Sequence, residues 1–328
     1  MRGVFLGVFG ACCWGFSGVC VNFLTSGYGV SSPWLGFMRL TLAGIIFAIA
    51  AVLADKNNLL GLLRDRKAMI SVTLFALFGM ALYQISYIMA IHTAGAATES
   101  LLCETSLIYI MVFSCIHEHR RPRRSELAAI VLAVAGVYCI ATKGDPSTIA
   151  IGLVGLAWCA LDGVLQFLHN VLPLDALERY GSLSVNAVGM LIGGMILAPV
   201  AQPWSVQVSF DGAAWAAFIG TVIIGAAFGY LFSMQALKDA GPVIGSLTLV
   251  FEPIAAVVAS AVILGTTFCA FDFIGGACII SMMVVVTLAD ARRSSEQALN
   301  QAADARIAHD EASNALAPSR TKEPHARP

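Results

Sequence analysis

Charge is what this sequence lacks most. Asp, Glu, Lys and Arg make up 12% of its 328 residues, where a soluble globular domain carries about 25%. Apolar residues reach 58%, and the mean hydropathy is +0.81, which excludes an ordinary water-facing surface. The nine cysteines contain no C-x-x-C pair and all fall inside apolar runs. They read as small inert residues, not as disulfides or a thiolate metal centre. No glycine-rich phosphate loop follows a strand, so ATP-driven work by this chain alone is excluded. Apolar and polar residues do not alternate, which rules out a membrane β-barrel.

What is present is a series of long apolar stretches. A helix crossing ~30 Å of hydrocarbon needs about 20 apolar residues. Ten candidate spans meet that need: 3–24, 33–54, 68–91, 95–116 and 125–142, then 150–171, 181–201, 212–236, 241–264 and 269–289. The expected fold is an all-α polytopic membrane protein. With a cytoplasmic N-terminus, Arg2, Lys56, Arg64, Arg66, Lys67, Arg120, Arg121, Arg123, Arg124, Arg179 and Lys238 lie inside, and only Lys143 lies outside. That bias sets the orientation and puts both termini in the cytoplasm. It also makes the Arg120–Arg124 cluster a topology determinant, not a nucleic-acid patch. Trp34, Trp204 and Trp215 fall at outer-interface positions, where an aromatic belt is expected. The first stretch is too long for a signal-peptide core and reads as a retained span. Residues 290–328 are polar and lack an apolar face, so a disordered or partly helical cytoplasmic tail is expected.

The sequence repeats itself weakly. Ala90-Ile-His-Thr-Ala94-Gly95 resembles Ala236-Leu-Lys-Asp-Ala240-Gly241, and Ser100-Leu101 matches Ser246-Leu247 at the same offset. Trp14 and Trp158 hold comparable places in spans one and six. Five spans per half is an odd number, so two such halves, 3–142 and 150–289, enter the membrane in opposite orientations. Inverted repeats of this kind are what carriers use to alternate access around a site near the midplane.

A charge at membrane depth costs at least ~2.5–3.5 kcal/mol and persists where it faces a cavity or a partner. Five residues qualify: Arg39, Glu99, Glu104, Asp162 and Glu252. Any one of them could be only a polar contact between helices; five together point to a site. Glu104 and Glu252 are near the middles of the counterpart spans four and nine, where they can carry a proton or bind an amine. Pro253 sits at the centre of span nine. It is expected to free the Leu249 carbonyl and to act as a hinge. Arg39 and Glu99 share a depth that permits an ion pair closing the outer side. Asp162 follows Trp158 by four residues, on one helical face. Trp14, Asn22, Tyr83, Gln84, Tyr87 and Gln166 are the aromatic and polar candidates for the cavity wall.

With Trp14-Gly15, Arg39, Glu252-Pro253 and inverted five-helix halves, residues 3–289 resemble the EamA-type transporters of the drug/metabolite transporter superfamily. The resemblance implies transport of small metabolites, often efflux of amino acids or related compounds. It also implies a cavity lined by spans one to four and six to nine, with spans five and ten outside it. The acidic residue that often ends a family repeat's fourth helix is matched by His117-Glu118. The second half has Thr266 there, and Thr105 replaces the proline that Pro253 supplies, so the halves have diverged.

Other classes compete less well. Gly15-Phe16-Ser17-Gly18 has the form of an intramembrane serine protease motif, but Ser17 lies deeper than His92 or His169, and a nucleophile needs a base in reach. His117-Glu118-His119 puts its two imidazoles on different sides of a helix, beside arginines, which disfavours a metal there. A channel for small solutes is the remaining alternative. Four cavity acids against one arginine favour a cationic or zwitterionic cargo. The expected protein is therefore a multi-pass secondary transporter of the inner (plasma) membrane, not an enzyme, exporting an amino acid-like solute with protons as candidate coupling ions. Its partners are that small molecule and the lipid bilayer, with no nucleic acid and no cofactor. A homodimer is a candidate assembly.

Overall fold

The computed structural model describes residues 2–117, 119, 121–145, 150–204, 210–240 and 247–316. Every regular element among them is helical. In chain order we label them α1 (Arg2–Gly27), α2 (Ser32–Arg64), α3 (Arg66–Ala94), α4 (Ala96–Ile116) and α5 (Arg124–Thr142). The second set is α6 (Leu153–Val171), α7 (Leu174–Ala201), α8 (Gly212–Ser233, continuing in Tyr230–Ala240), α9 (Phe251–Leu264) and α10 (Ala270–Leu316). Eight of these carry segments long and apolar enough to cross a membrane. The exceptions are informative. α6 is 19 residues long, but Asp162, Gln166, His169 and Asn170 dilute its apolar character. α9 has 14 residues, which at 1.5 Å each is about 21 Å and short of a bilayer core. The first part of expected span nine, 241–246, lies outside the described residues.

The helices pack in a definite pattern: α1 against α8 and α9, α3 and α4 against α6, and α2 along α7. Lipid tails are as apolar as leucine, so such contacts depend on close fit between helices rather than on escape from water. One buried cluster joins Leu40, Phe47, Val72, Phe75 and Met80 to Val185 and Leu197. A second gathers Leu24, Trp34, Leu35, Ile88, Phe218 and Val222. A third links Leu101 and Leu102 to Ala133, Ile140, Ile279 and Met282. Trp34 corrects an expectation here. It is 6% exposed and packs edge-on to Phe210 and tilted against Phe218, so it belongs to the bundle interior. Trp204 and Trp215 are 75% and 52% exposed, as belt residues would be.

Several helices are broken or unwound. α3 winds loosely, with π-helical turns over Phe75–Leu82, and α8 does the same over Gly220–Gly229. α4 tightens to a 3₁₀ turn at Cys103–Thr105. α9 starts afresh at Phe251 after a turn, its first residues joined back by Val250 N to Leu247 O and Glu252 N to Leu249 O. α7 is interrupted at Gly181, whose φ of 75° suits glycine and few other residues. Pro253 is thus the third residue of a helix instead of the centre of one. The Leu249 carbonyl is not freed but accepts from Glu252 N at 2.9 Å. A proline in a first turn removes no needed donor, so Pro253 stands at a helix start.

Near helix ends, two tyrosine–aspartate pairs tie distant parts of the chain together. Tyr28 Oη donates to Asp211 at 2.7 Å, and Tyr180 Oη donates to Asp65 at 2.8 Å. Both aspartates also begin helices: Asp65 accepts from Lys67 N and Ala68 N, and Asp211 from Ala214 N. The Tyr180 hydroxyl, followed by the Ala68 amide, holds the Asp65 carboxyl below its usual range. The Ala214 amide and then Tyr28 do the same for Asp211. Ion pairs join Arg2 to Asp239, Lys143 to Asp272 and Arg179 to Asp65.

The chain forms two compact units, Met1–Thr287 and Leu288–Pro328. The second contains the polar end of α10, which remains helical to Leu316 within the segment expected to be at most partly ordered.

Candidate functional site

The acids that the sequence marked out converge. Glu99 and Glu104 come from α4, Asp162 from α6 and Glu252 from the first turn of α9. Glu99, Glu104 and Asp162 are buried, and Glu252 is half-buried. Glu252 lies within electrostatic reach of both Glu99 and Glu104. Local structure explains why these positions are held. Glu104 sits inside the 3₁₀ turn of α4, pinned by Thr105 Oγ1 donating to Leu102 O at 2.7 Å. Glu252 sits at a helix N-terminus, where unpaired amides favour negative charge. Broken helices presenting polar groups at depth are how membrane bundles build solute sites.

Close packing brings α1 up to this cluster. A Cβ on Gly15 would collide with the Glu252 carbonyl oxygen and lie 2.8 Å from Ala256 N. Only glycine lets α1 and α9 approach so nearly. Trp14, the neighbour of Gly15, stands edge-on to Tyr230 with centroids 5.9 Å apart. Tyr83 stacks between Tyr87 and His169, at 6.3 and 5.3 Å. The His169 ring is fixed by a 2.6 Å bond between Nδ1 and Gly79 O. Gln84 is buried, and its Nε2 meets no acceptor of the protein.

Arg39 departs from its expected partner. Its Nη2 donates to Ser17 Oγ at 3.4 Å, and the guanidinium lies 5.1 Å over the Tyr87 ring. No bond joins it to Glu99, and Nε and Nη1 meet no acceptor. The physical reason is helix rotation: equal depth does not bring side chains together when they leave their helices in different directions. Glu99 instead meets Asp162. One donor atom each of Glu99, Cys103 and Asp162 lies within 4.8 Å of the others. Spacing already hinted at half of this, since Glu99 and Cys103 are i and i+4 on one helix face. Asp162 carried no such signal. Ser17 Oγ is 2.9 Å from Thr221 Oγ1 and takes Arg39, so it is engaged with a hydroxyl and a cation, not a histidine. Glu118 lies outside the described residues. A separate apolar cavity of about 300 Å³ lies among α4, α9 and α10, lined by Ala97, Leu101, Pro253, Val257, Phe268 and Phe273; none of the four acids lines it.

A helical bundle with eight bilayer-length helices, and with acids converging inside it from α4, α6 and α9, defines a multi-pass membrane protein with a polar interior. The EamA-like transporter family model matches residues 1–142 and 154–288, and the chain belongs to that family. It is 26% identical over 281 residues to the "Uncharacterized inner membrane transporter YicL" of Salmonella typhimurium, covering 86% of this chain and 93% of the relative. An "Uncharacterized transporter" of Archaeoglobus fulgidus is 26% identical over 172 residues, 52% of this chain and 59% of that protein. A solved structure titled only as a protein crystal structure shares the fold, with a TM-score of 0.59 at 19% identity, covering 88% of this chain and 98% of its own. The chain is thus a membrane transporter of the inner membrane.

Proposed function

We propose that this protein exports a small cationic or zwitterionic organic solute, of the amino acid kind, by alternating access of two inverted five-helix halves, 3–142 and 150–289. The observation that carries the reading is the convergence of Glu99, Glu104, Asp162 and Glu252 on one interior with Arg39 as the sole guanidinium at that depth. A site with that surplus of negative charge attracts an ammonium group and repels simple anions.

Three features support ten spans in inverted halves. Exchanging each helix for the one five places along maps the packing pattern onto itself: α1 with α8 becomes α6 with α3, α1 with α9 becomes α6 with α4, and α2 with α7 is its own counterpart. The same exchange relates Tyr28–Asp211, between the α1–α2 connection and the start of α8, to Tyr180–Asp65, between α7 just before its break at Gly181 and the start of α3. Each ion pair also joins groups that the charge bias puts on one side of the membrane. In this reading α6 and α9 are spans as well. Their polar content and shortness are tolerated because they face the cavity and not lipid. Both termini are cytoplasmic. Trp14, Tyr83 and Gln84 line the cavity with the acids, and Pro253 fixes the start of α9 beside Glu252.

Coupling to protons runs through the buried acids, whose charge can change as the cavity turns from one face to the other. Each charge moved is worth about 2.3 kcal/mol per 100 mV. The test is a metabolite profile of the medium from overexpressing cells beside cells making Glu252→Ala or Glu104→Gln. The expected result is an amine-bearing solute enriched only with the intact chain. Enrichment of an anionic solute, or equal enrichment with the variants, refutes the reading. Transport in proteoliposomes that ignores both a pH gradient and Glu252→Gln refutes coupling through that residue.

A further inference from the structure

We propose that Glu99, Cys103 and Asp162 form a binding site for a divalent metal ion of intermediate softness, of the zinc, cobalt and cadmium class. Their donor atoms already lie within 4.8 Å of one another. An ion with metal–oxygen and metal–sulfur bonds of about 2.0–2.3 Å can reach all three after a small contraction. α4 supplies Glu99 and Cys103 from one face, and α6 supplies Asp162. Three protein donors leave a fourth position open for water or a carried ligand, as open zinc sites do.

A second observation points to a ligand. Asp162 is 0% exposed, yet neither of its carboxylate oxygens has a hydrogen bond of good geometry, and Glu99, 2% exposed, has an unpartnered Oε1. The Ser86 hydroxyl, which reaches toward Asp162, is shared with Trp158 O, to which its Oγ donates at 3.3 Å. Arg39 is engaged by Ser17 and Tyr87. The other groups with electrostatic reach into the trio, Tyr83, Tyr87, Glu104, Cys159 and Glu252, carry no positive charge. Buried carboxylates without a donor or counter-charge are costly, and a bound cation relieves that cost. Two carboxylates alone suit calcium or magnesium; a thiolate in the set selects a softer ion. Binding releases the Cys103 proton to solvent. A role for this ion in transport rests on the cavity reading above, whereas its binding is tested without it.

The test is a Co²⁺ titration of the purified full chain in detergent, followed by the sulfur-to-cobalt charge-transfer band. One saturable site is expected. The band should vanish in Cys103→Ser and remain in Cys278→Ser, and Glu99→Gln and Asp162→Asn should each weaken binding about tenfold or more. Failure to saturate, or a band that survives Cys103→Ser, overturns the proposal. X-ray absorption of the Co²⁺-loaded wild type needs no variant: one sulfur among oxygens is expected, and an all-oxygen shell overturns it. Solute export without Co²⁺ binding removes this inference alone. Co²⁺ binding with export indifferent to the acids supports it and removes the transport reading instead.

Discussion

Replacing Gly15 with alanine tests the close approach of α1 to α9. The added Cβ would strike the Glu252 carbonyl oxygen and stand 2.8 Å from Ala256 N and 3.1 Å from Ala255 Cβ. Two of these three atoms are backbone, so no side-chain rotation relieves the clash, and α1 must move off α9. Overpacking of this kind costs about 1–3 kcal/mol. Alanine also gains up to about 1 kcal/mol over glycine as a helix former, which blurs a single measurement. Gly18, one turn along α1, supplies the control. Its Cβ would meet only the Tyr87 hydroxyl at 3.2 Å and two carbons at 3.7 and 3.8 Å. The helix-propensity gain is common to both variants and cancels in their difference. Denaturant unfolding of the two variants in detergent should therefore separate them by about 1–3 kcal/mol, with Gly15→Ala the weaker. Equal stability would refute the α1–α9 approach and, with it, the position of Glu252.

Other consequences follow from the same geometry. Trp34→Ala should destabilise the bundle by about 3–5 kcal/mol, while Trp204→Ala should leave the unfolding midpoint near that of the parent; the reverse order would return Trp34 to the interface. The Asp65 and Asp211 carboxyls are held below their usual range, so their contribution is present above the unfolded aspartate pKa of about 3.9 and fades as pH falls below it. Asp65→Asn with Asp211→Asn should flatten that acid limb of the stability profile, and an unchanged limb would show that the two pairs do not link proton binding to folding. Ser17→Ala removes the hydrogen bonds with Thr221 and Arg39, should cost about 1–3 kcal/mol, and should leave export intact in the profiling assay; loss of a proteolytic activity instead would revive the serine nucleophile.

The sequence made the spans legible because a bilayer demands length and apolarity, and both are written locally. Eight stretches are helices of that kind, most with ends within a few residues of the expected ones, although α2 runs on to Arg64 and α7 begins already at Leu174. It also marked the acids at depth, since a charge in a membrane helix is conspicuous. Helix rotation was not legible, and that is where expectations failed. Arg39 turned to Ser17 and Tyr87 in place of Glu99, and Trp34 turned inward. Pro253 looked central because an apolar run does not reveal where its helix begins. The Glu99–Asp162 meeting depends on two helices far apart in sequence. The Tyr28–Asp211 and Tyr180–Asp65 pairs join residues far apart in sequence, and tyrosines and aspartates near helix ends are too common to be paired without the fold.

Inverted halves are the claim on which the rest stands, and reporter fusions after Tyr28, Asp65, Tyr180 and Asp211 test it most directly. The account predicts periplasmic reporters at Tyr28 and Asp211 and cytoplasmic reporters at Asp65 and Tyr180. Tyr28 and Tyr180 on the same face would contradict it.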